Sequence, residues 1–215
     1  MLARSIYKNS AILAAFALLS IGLIAVFHFF TKDKIAAEMQ AKLARTLNEL
    51  VPANQYNNDV YHDCLELDSN GLLAQKELTR FYRMYQDETP VASIFTVNAP
   101  DGYSGNIELI VGIYADQSLA GVRVINHNET PGLGDKIEKQ KSDWILQFEG
   151  LSLTKVEAEN WRVKKDGGTF DAFTGATITP RAVLKAIANA LQYFKNNQQI
   201  IFTSSKNCGV NHEST

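Results

Sequence analysis

The sequence lacks a charge imbalance, an internal repeat and a low-complexity tract. Its 21 Lys and Arg against 23 Asp and Glu give a formal charge of −2 over 215 residues, so nothing marks it as disordered or fibrous. It holds no G-x-x-x-x-G-K-[ST] nucleotide loop and no G-x-S-x-G nucleophile elbow. Its four histidines follow no metal-ligand spacing, so no metal site is expected. Cysteine is scarce, with only Cys64 and Cys208 present.

Charge is also missing locally. No Asp, Glu, Lys or Arg occurs from Asn9 to Thr31, and Ile12 to Phe30 is mostly Ala, Leu, Ile and Phe. As a helix this stretch reaches roughly 34 Å, enough for a hydrocarbon core of about 30 Å. The competing reading is a cleaved signal peptide, whose apolar region spans about 7–15 residues and ends in an A-x-A-like site. Here the run is longer and ends in Phe27-His28-Phe29-Phe30, which favours an uncleaved anchor. Arg4, Lys8 and the terminal amine precede the span, while Lys32 and Lys34 follow it with Asp33 between them, a nearly balanced distribution. The short N-terminal tail favours an inside N-terminus. The expected organisation is a cytoplasmic tail over 1–8, a transmembrane anchor over 9–31 and a periplasmic domain over 32–215, in a single-pass inner-membrane protein. Beyond the span, 19 basic residues face 23 acidic ones, a balance of −4. That gives no support for nucleic-acid binding. Both cysteines lie beyond the span: in an oxidising compartment they form a disulfide or remain two unpaired thiols, and their spacing allows either.

Ile35, Met39, Leu43, Leu47 and Leu50 recur at helical spacing, so the membrane helix continues or restarts as an amphipathic helix that Val51-Pro52 ends. Asn54 to Asp59 reads as a loop, and Tyr61 to Leu67 and Leu78 to Tyr85 contain strand-like pieces. Val91 to Val97, Ile107 to Tyr114 and Leu119 to Asn126 read as strands, the last two joined by a hairpin at Ala115 to Ser118. Asn98 to Gly102 has turn chemistry. Ser142 to Phe148 reads as a short helix and Trp161 to Lys165 as a strand. Thr179 as N-cap and Pro180 at the first helical position open a strong helix, with Leu184, Ile187, Leu191 and Phe194 on one face. The expected class is α+β, a single N-terminal transmembrane helix followed by an antiparallel sheet flanked by helices.

One segment carries the chemistry: Asp171-Ala172-Phe173-Thr174-Gly175-Ala176-Thr177-Ile178-Thr179-Pro180. The start of a helix offers free N–H groups and the positive end of its dipole, which favour a phosphate. Gly175 and Ala176 let a bulky group lie against the backbone, and the threonines supply hydroxyls for hydrogen bonds or esterification. The same run also makes an ordinary turn and cap. A second segment, Thr130-Pro131-Gly132-Leu133, suits a type II turn. Asp135 is placed to cap a following helix, with Glu138 three residues later. This arrangement suits either a ligand-lining loop or a plain structural turn.

The first segment resembles the D-x-x-[ST]-G-A-[ST]-x-[ST] signature of the FMN-binding domain family. Gly102-Tyr103-Ser104-Gly105, His127-Asn128-Glu129-Thr130-Pro131-Gly132-Leu133-Gly134 and Lys164-Lys165-Asp166-Gly167-Gly168 resemble the G subunits of Rnf electron-transport complexes. The C subunits of sodium-pumping quinone reductases are similar at a greater distance. The resemblance covers nearly the whole chain, with the motif region over 98–196. It implies that a flavin transferase takes FMN from FAD and joins its phosphate to Thr177. Asp171 opens the motif, Thr174, Gly175 and Ala176 form its core, and Ile178 and Thr179 complete it. Glu129, Thr130 and Leu133 are implied to lie near the flavin. The implied role is an electron carrier in a membrane complex that couples electron transfer to ion translocation. The implied partners are the other subunits, and the resemblance implies no catalytic side-chain machinery in the chain itself. A membrane-tethered flavin-binding sensor is the alternative; it would usually carry further spans or an output domain. A hydrolase with a Thr or Ser nucleophile requires a base, and His127, the one central candidate, sits at no known spacing.

Overall fold

The computed structural model describes residues 2–69 and 71–208; within its first helix, side chains are described for residues 6–7, 9–10, 12–32, 34, 38 and 44–50. The side chains of Arg4, Lys8, Asp33, Ile35, Met39 and Leu43, which bear on orientation and on the amphipathic stripe, lie outside the described residues. The chain divides into two compact units, Met1–Thr46 and Leu47–Thr215.

Helix α1 runs Leu2–Leu50 without a break, so the expected continuation, rather than a restart, is what forms. Within it, Ile12–Lys32 is 21 residues long and apolar enough to cross a membrane, about 32 Å at 1.5 Å per residue. Every side chain from Ile12 to Phe30 is exposed. A helix apolar on all sides with these side chains exposed suits lipid surroundings better than water.

The second unit is built on a five-stranded antiparallel meander in the order β1 (Cys64–Leu67), β2 (Thr79–Gln86), β3 (Thr89–Gly102), β4 (Gly105–Tyr114) and β5 (Leu119–Asn126). Strand periodicity sorts its side chains between two faces. Phe95, Val97 and Ala99 on β3 pair with Val111, Leu109 and Ile107 on β4. Together they form the core under helix α2 (Ile178–Thr203), which contributes Val183, Leu184, Ile187, Leu191 and Phe194. Each such side chain, fully buried, adds roughly 1.5–3 kcal/mol. On the other face, the paired glycines Gly112 and Gly121 leave a notch for Leu50 at the end of α1. A Cβ on Gly121 would stand 2.9 Å from Leu50 Cδ2, so any side chain there would displace Leu50. Glu49, beside it, pairs with Lys139 and with Arg123 at 3.2 Å.

The α+β class and the antiparallel sheet are as expected, but four local features differ. Asn98 to Gly102 belongs to β3: Asn98 pairs with Glu108, and a bulge between Ala99 and Gly102 absorbs Pro100 and Asp101. The turn itself lies at Tyr103-Ser104. Trp161 to Lys165 is not a sheet strand, because the chain folds back on itself. Val163 bridges only Phe170, and a 3-10 turn spans Lys164–Asp166. Thr177, not Thr179, occupies the N-cap position of α2, because the Thr179 hydroxyl bonds elsewhere. Asp135 and Glu138 form no capping box: Asp135 lies inside a 3-10 turn (Gly134–Ile137), and Glu138 follows it, bonded to His127.

Past α2, the chain returns to the sheet edge. Asn207 donates its backbone N–H to Cys64 O at 3.4 Å and its side-chain amide to Glu66 O at 3.0 Å, while the Glu66 N–H donates to Asn207 Oδ1 at 2.6 Å. This covers an edge strand that would otherwise present open backbone groups. A disulfide joins Cys64 to Cys208, Cα atoms 5.6 Å apart, across 144 residues of sequence. Closing so long a loop restricts the unfolded chain, so changing both cysteines to serine is expected to cost about 2–5 kcal/mol. Urea unfolding of both forms checks this, and coincident midpoints would contradict it.

Candidate functional site

Three segments that are distant in sequence converge beside the start of α2: the β3–β4 hairpin tip, the loop after β5 and the motif 171–179. Each is shaped by its own residues. After β5, the Thr130 carbonyl accepts the Leu133 N–H at 3.1 Å and the Gly134 N–H at 3.0 Å, the bond expected of the Thr130–Leu133 turn. In the motif, the Ala176 N–H donates to Phe173 O at 3.1 Å around Gly175, whose φ of 81° an L side chain rarely adopts. An aromatic cluster holds this turn in place. Trp144 Nε1 donates to Asp171 O at 2.8 Å, and the Trp144 ring meets Phe173 edge-on at 5.1 Å.

The buried Glu129 joins the three segments. It is 4 % exposed, and its carboxylate accepts the Ser104 N–H at 2.9 Å, the Tyr103 N–H at 3.3 Å and a short hydrogen bond from the Thr179 hydroxyl. A buried carboxylate needs such partners, since an unpaired one costs several kcal/mol. Its own backbone N–H donates to His127 Nδ1 at 3.0 Å, which places the neutral imidazole's proton on Nε2, facing Glu138 Oε1 at 2.7 Å.

These segments enclose a recess of about 250 Å³ lined by Tyr103, Glu129, Thr130, Leu133, Gly134, Gly175, Ala176, Thr177, Ile178 and Thr179. Eight of the residues singled out in the sequence therefore meet at one place: Glu129, Thr130, Leu133, Gly175, Ala176, Thr177, Ile178 and Thr179. Thr174 and Asp171 do not line it. Thr174 is exposed on the turn, and Asp171 pairs with Lys164 at 2.8 Å on the surface, a contact worth little. Tyr103 and Gly134 also line it; the sequence holds them within the stretches 102–105 and 127–134 that resemble Rnf G subunits, without marking either as a site residue. The Thr177 side chain makes no capping bond. It stands beside a 26-residue helix whose first N–H groups have no intrahelical partner. Thr179 is 1 % exposed, with its hydroxyl committed to Glu129. The lining holds no His, Lys or Arg, and His127 spends both ring nitrogens elsewhere. Its rim is apolar and open: Tyr103 is 67 % exposed, Ile178 44 % and Leu133 41 %.

A model of the FMN-binding domain matches residues 102–192, and one of the RnfG N-terminal region matches residues 1–50. The G subunit of the ion-translocating oxidoreductase complex of Pseudoalteromonas atlantica is 48 % identical over 94 % of both chains. Its counterpart in Shewanella loihica is 44 % identical over 98 % of this chain and 99 % of the relative. A solved structure, the C subunit of the Na(+)-translocating NADH-quinone reductase of Parabacteroides distasonis, is similar at 21 % identity. Its TM-score is 0.46, covering 67 % of this chain and 78 % of that one.

Gly134 is the tightest point of the recess wall. A Cβ there would stand 2.8 Å from Thr179 Oγ1 and 3.0 Å from Glu129 Oε2. Gly134→Ala is therefore expected to cost about 1–3 kcal/mol through overpacking. A thermal melt checks this, and a wild-type transition would show that the wall yields freely.

Proposed function

The chain belongs to the family of G subunits of ion-translocating oxidoreductase complexes, and from that premise we propose that it is a covalently flavinylated electron carrier held in the inner membrane by α1. Its partners are the other subunits of the complex. Thr177 is the attachment point: a flavin transferase breaks the pyrophosphate of FAD, the Thr177 oxygen takes the FMN phosphoryl as a phosphodiester, and AMP leaves with the hydroxyl proton going to solvent. The observation that carries this reading is the Thr177 side chain itself. It lies on the recess wall, makes no capping bond and opens a long helix.

The residues present fit such a group. The helix start offers unpaired N–H groups and a positive dipole end to a phosphate, less the one donor that Pro180, at the third helical position, lacks. Gly175 and Ala176 leave room beside the tether. At about 250 Å³, the recess is smaller than the roughly 300–1,000 Å³ of pockets that enclose a whole ligand. It takes part of the cofactor and leaves the rest open to partners, as a carrier requires. The isoalloxazine supplies one- and two-electron chemistry when bound. The chain's own side chains tether, orient and shield, and none serves as nucleophile or base in a reaction of its own. With Arg4 and Lys8 inside, the flavin-bearing unit is periplasmic, where a dissociable cofactor would be lost by dilution. The disulfide suits the same compartment.

Thr177→Ala, made in a host with the transferase, is expected to abolish flavin fluorescence that survives denaturation, while Thr177→Ser, which keeps a hydroxyl, retains it. In-gel fluorescence of the denatured chain checks both. Attached flavin persisting in the alanine variant would defeat the assignment.

A further inference from the structure

Thr179, the last hydroxyl of the motif, is buried and bonded, which poses the question of what it does there. It is 1 % exposed, and its hydroxyl donates to Glu129, itself 4 % exposed. The same carboxylate holds the backbone N–H groups of Tyr103 and Ser104 at 3.3 and 2.9 Å. Gly134 closes over the pair, with no space for a methyl group.

We propose that Thr179 and Glu129 form a latch that fixes the start of α2 to the β3–β4 hairpin tip, and so presents the Thr177 hydroxyl to the transferase before any flavin is bound. Both are positioning residues. The motif requires a hydroxyl at Thr179 to satisfy Glu129, not to touch the cofactor. The proposal rests on Thr177 as the acceptor, two residues upstream and fixed by the same helix start.

The physical consequence follows from the carboxylate. Replacing the hydroxyl with a methyl group leaves a buried anion short of one donor and against an apolar surface. Glu129 then turns toward water and releases the Tyr103 and Ser104 amides. The helix start and the hairpin tip lose their shared anchor, and the acceptor-ready arrangement becomes one state among several. A transferase that binds only the ready state meets it at a reduced fraction, which raises the apparent KM for the acceptor and leaves kcat at saturation near wild type.

The test uses the full-length chain in detergent. Hydrogen exchange is measured without flavin, and initial rates of flavin transfer are measured with the transferase and FAD. Thr179→Val is expected to speed exchange at Tyr103 and Ser104 at least tenfold and to raise KM at least tenfold with kcat retained. Thr179→Ser restores both. Glu129→Gln, which keeps the shape and one acceptor oxygen, loosens the same amides to a smaller degree and stands in if the valine variant does not fold. Wild-type exchange at those amides in both variants overturns the latch, as does a fall in kcat with KM unchanged, which would place the Thr179 hydroxyl in the transfer step itself. Flavin attached to the wild-type chain at a residue other than Thr177 would remove the acceptor assignment, while the exchange measurement would still decide the latch.

Discussion

A carboxylate buried to 4 % exposure sets the terms for everything around the recess. Moving an anion out of water is costly, and the cost is met only when its oxygens are taken up by donors in good geometry. Glu129 finds them on two other segments, the hairpin tip at Tyr103 and Ser104 and the first turn of α2 at Thr179. Satisfying one side chain therefore fixes the relative position of parts of the chain some 25 and 50 residues away. Those parts, with Gly134 pressed against the contact, are the walls of the recess. The floor of the site is a polar network, and its rim of Tyr103, Leu133 and Ile178 is apolar and open.

Much of this was legible before the structure. The α+β class, the central strands and the long last helix follow from hydrophobic periodicity, which is strong over 10 to 26 residues. The motif residues Gly175 to Thr179 were readable through their resemblance to the FMN-binding signature; small residues and hydroxyls before a helix also make an ordinary turn and cap. The corrections share a cause: a local signal was overridden by a contact outside the segment that carries it. Thr179 reads as a cap because Ser and Thr favour that position, yet its hydroxyl donates to Glu129, 50 residues away, and Thr177 stands at the N-cap position without a side-chain capping bond. Asn98 reads as a turn residue, but its side chain donates to Ala74 O at 3.1 Å and its backbone stays in β3. Trp161 and Val163 alternate as a strand does, but they bury against an aromatic cluster with Phe148 and Phe170. Tyr103 lies in the 102–105 stretch that resembles Rnf G subunits, but it is the Glu129 contact that brings it to the recess.

The remaining features agree on a compartment. An apolar helix with every described side chain from Ile12 to Phe30 exposed suits a bilayer. A disulfide sealing the end of the described chain onto the edge of the sheet suits an oxidising space. The division of labour is chemical: the isoalloxazine carries electrons, and the protein decides where they are carried.

The central claim is a single covalent bond at Thr177. Mass spectrometry of the chain isolated from its own membrane, first intact and then as fragmented peptides, addresses it directly. The account predicts an added mass of one esterified FMN carried by the peptide spanning Thr174 to Thr179 and localised to Thr177. An unmodified peptide in a cell with active transferase, or an adduct mapped to another side chain, would contradict it.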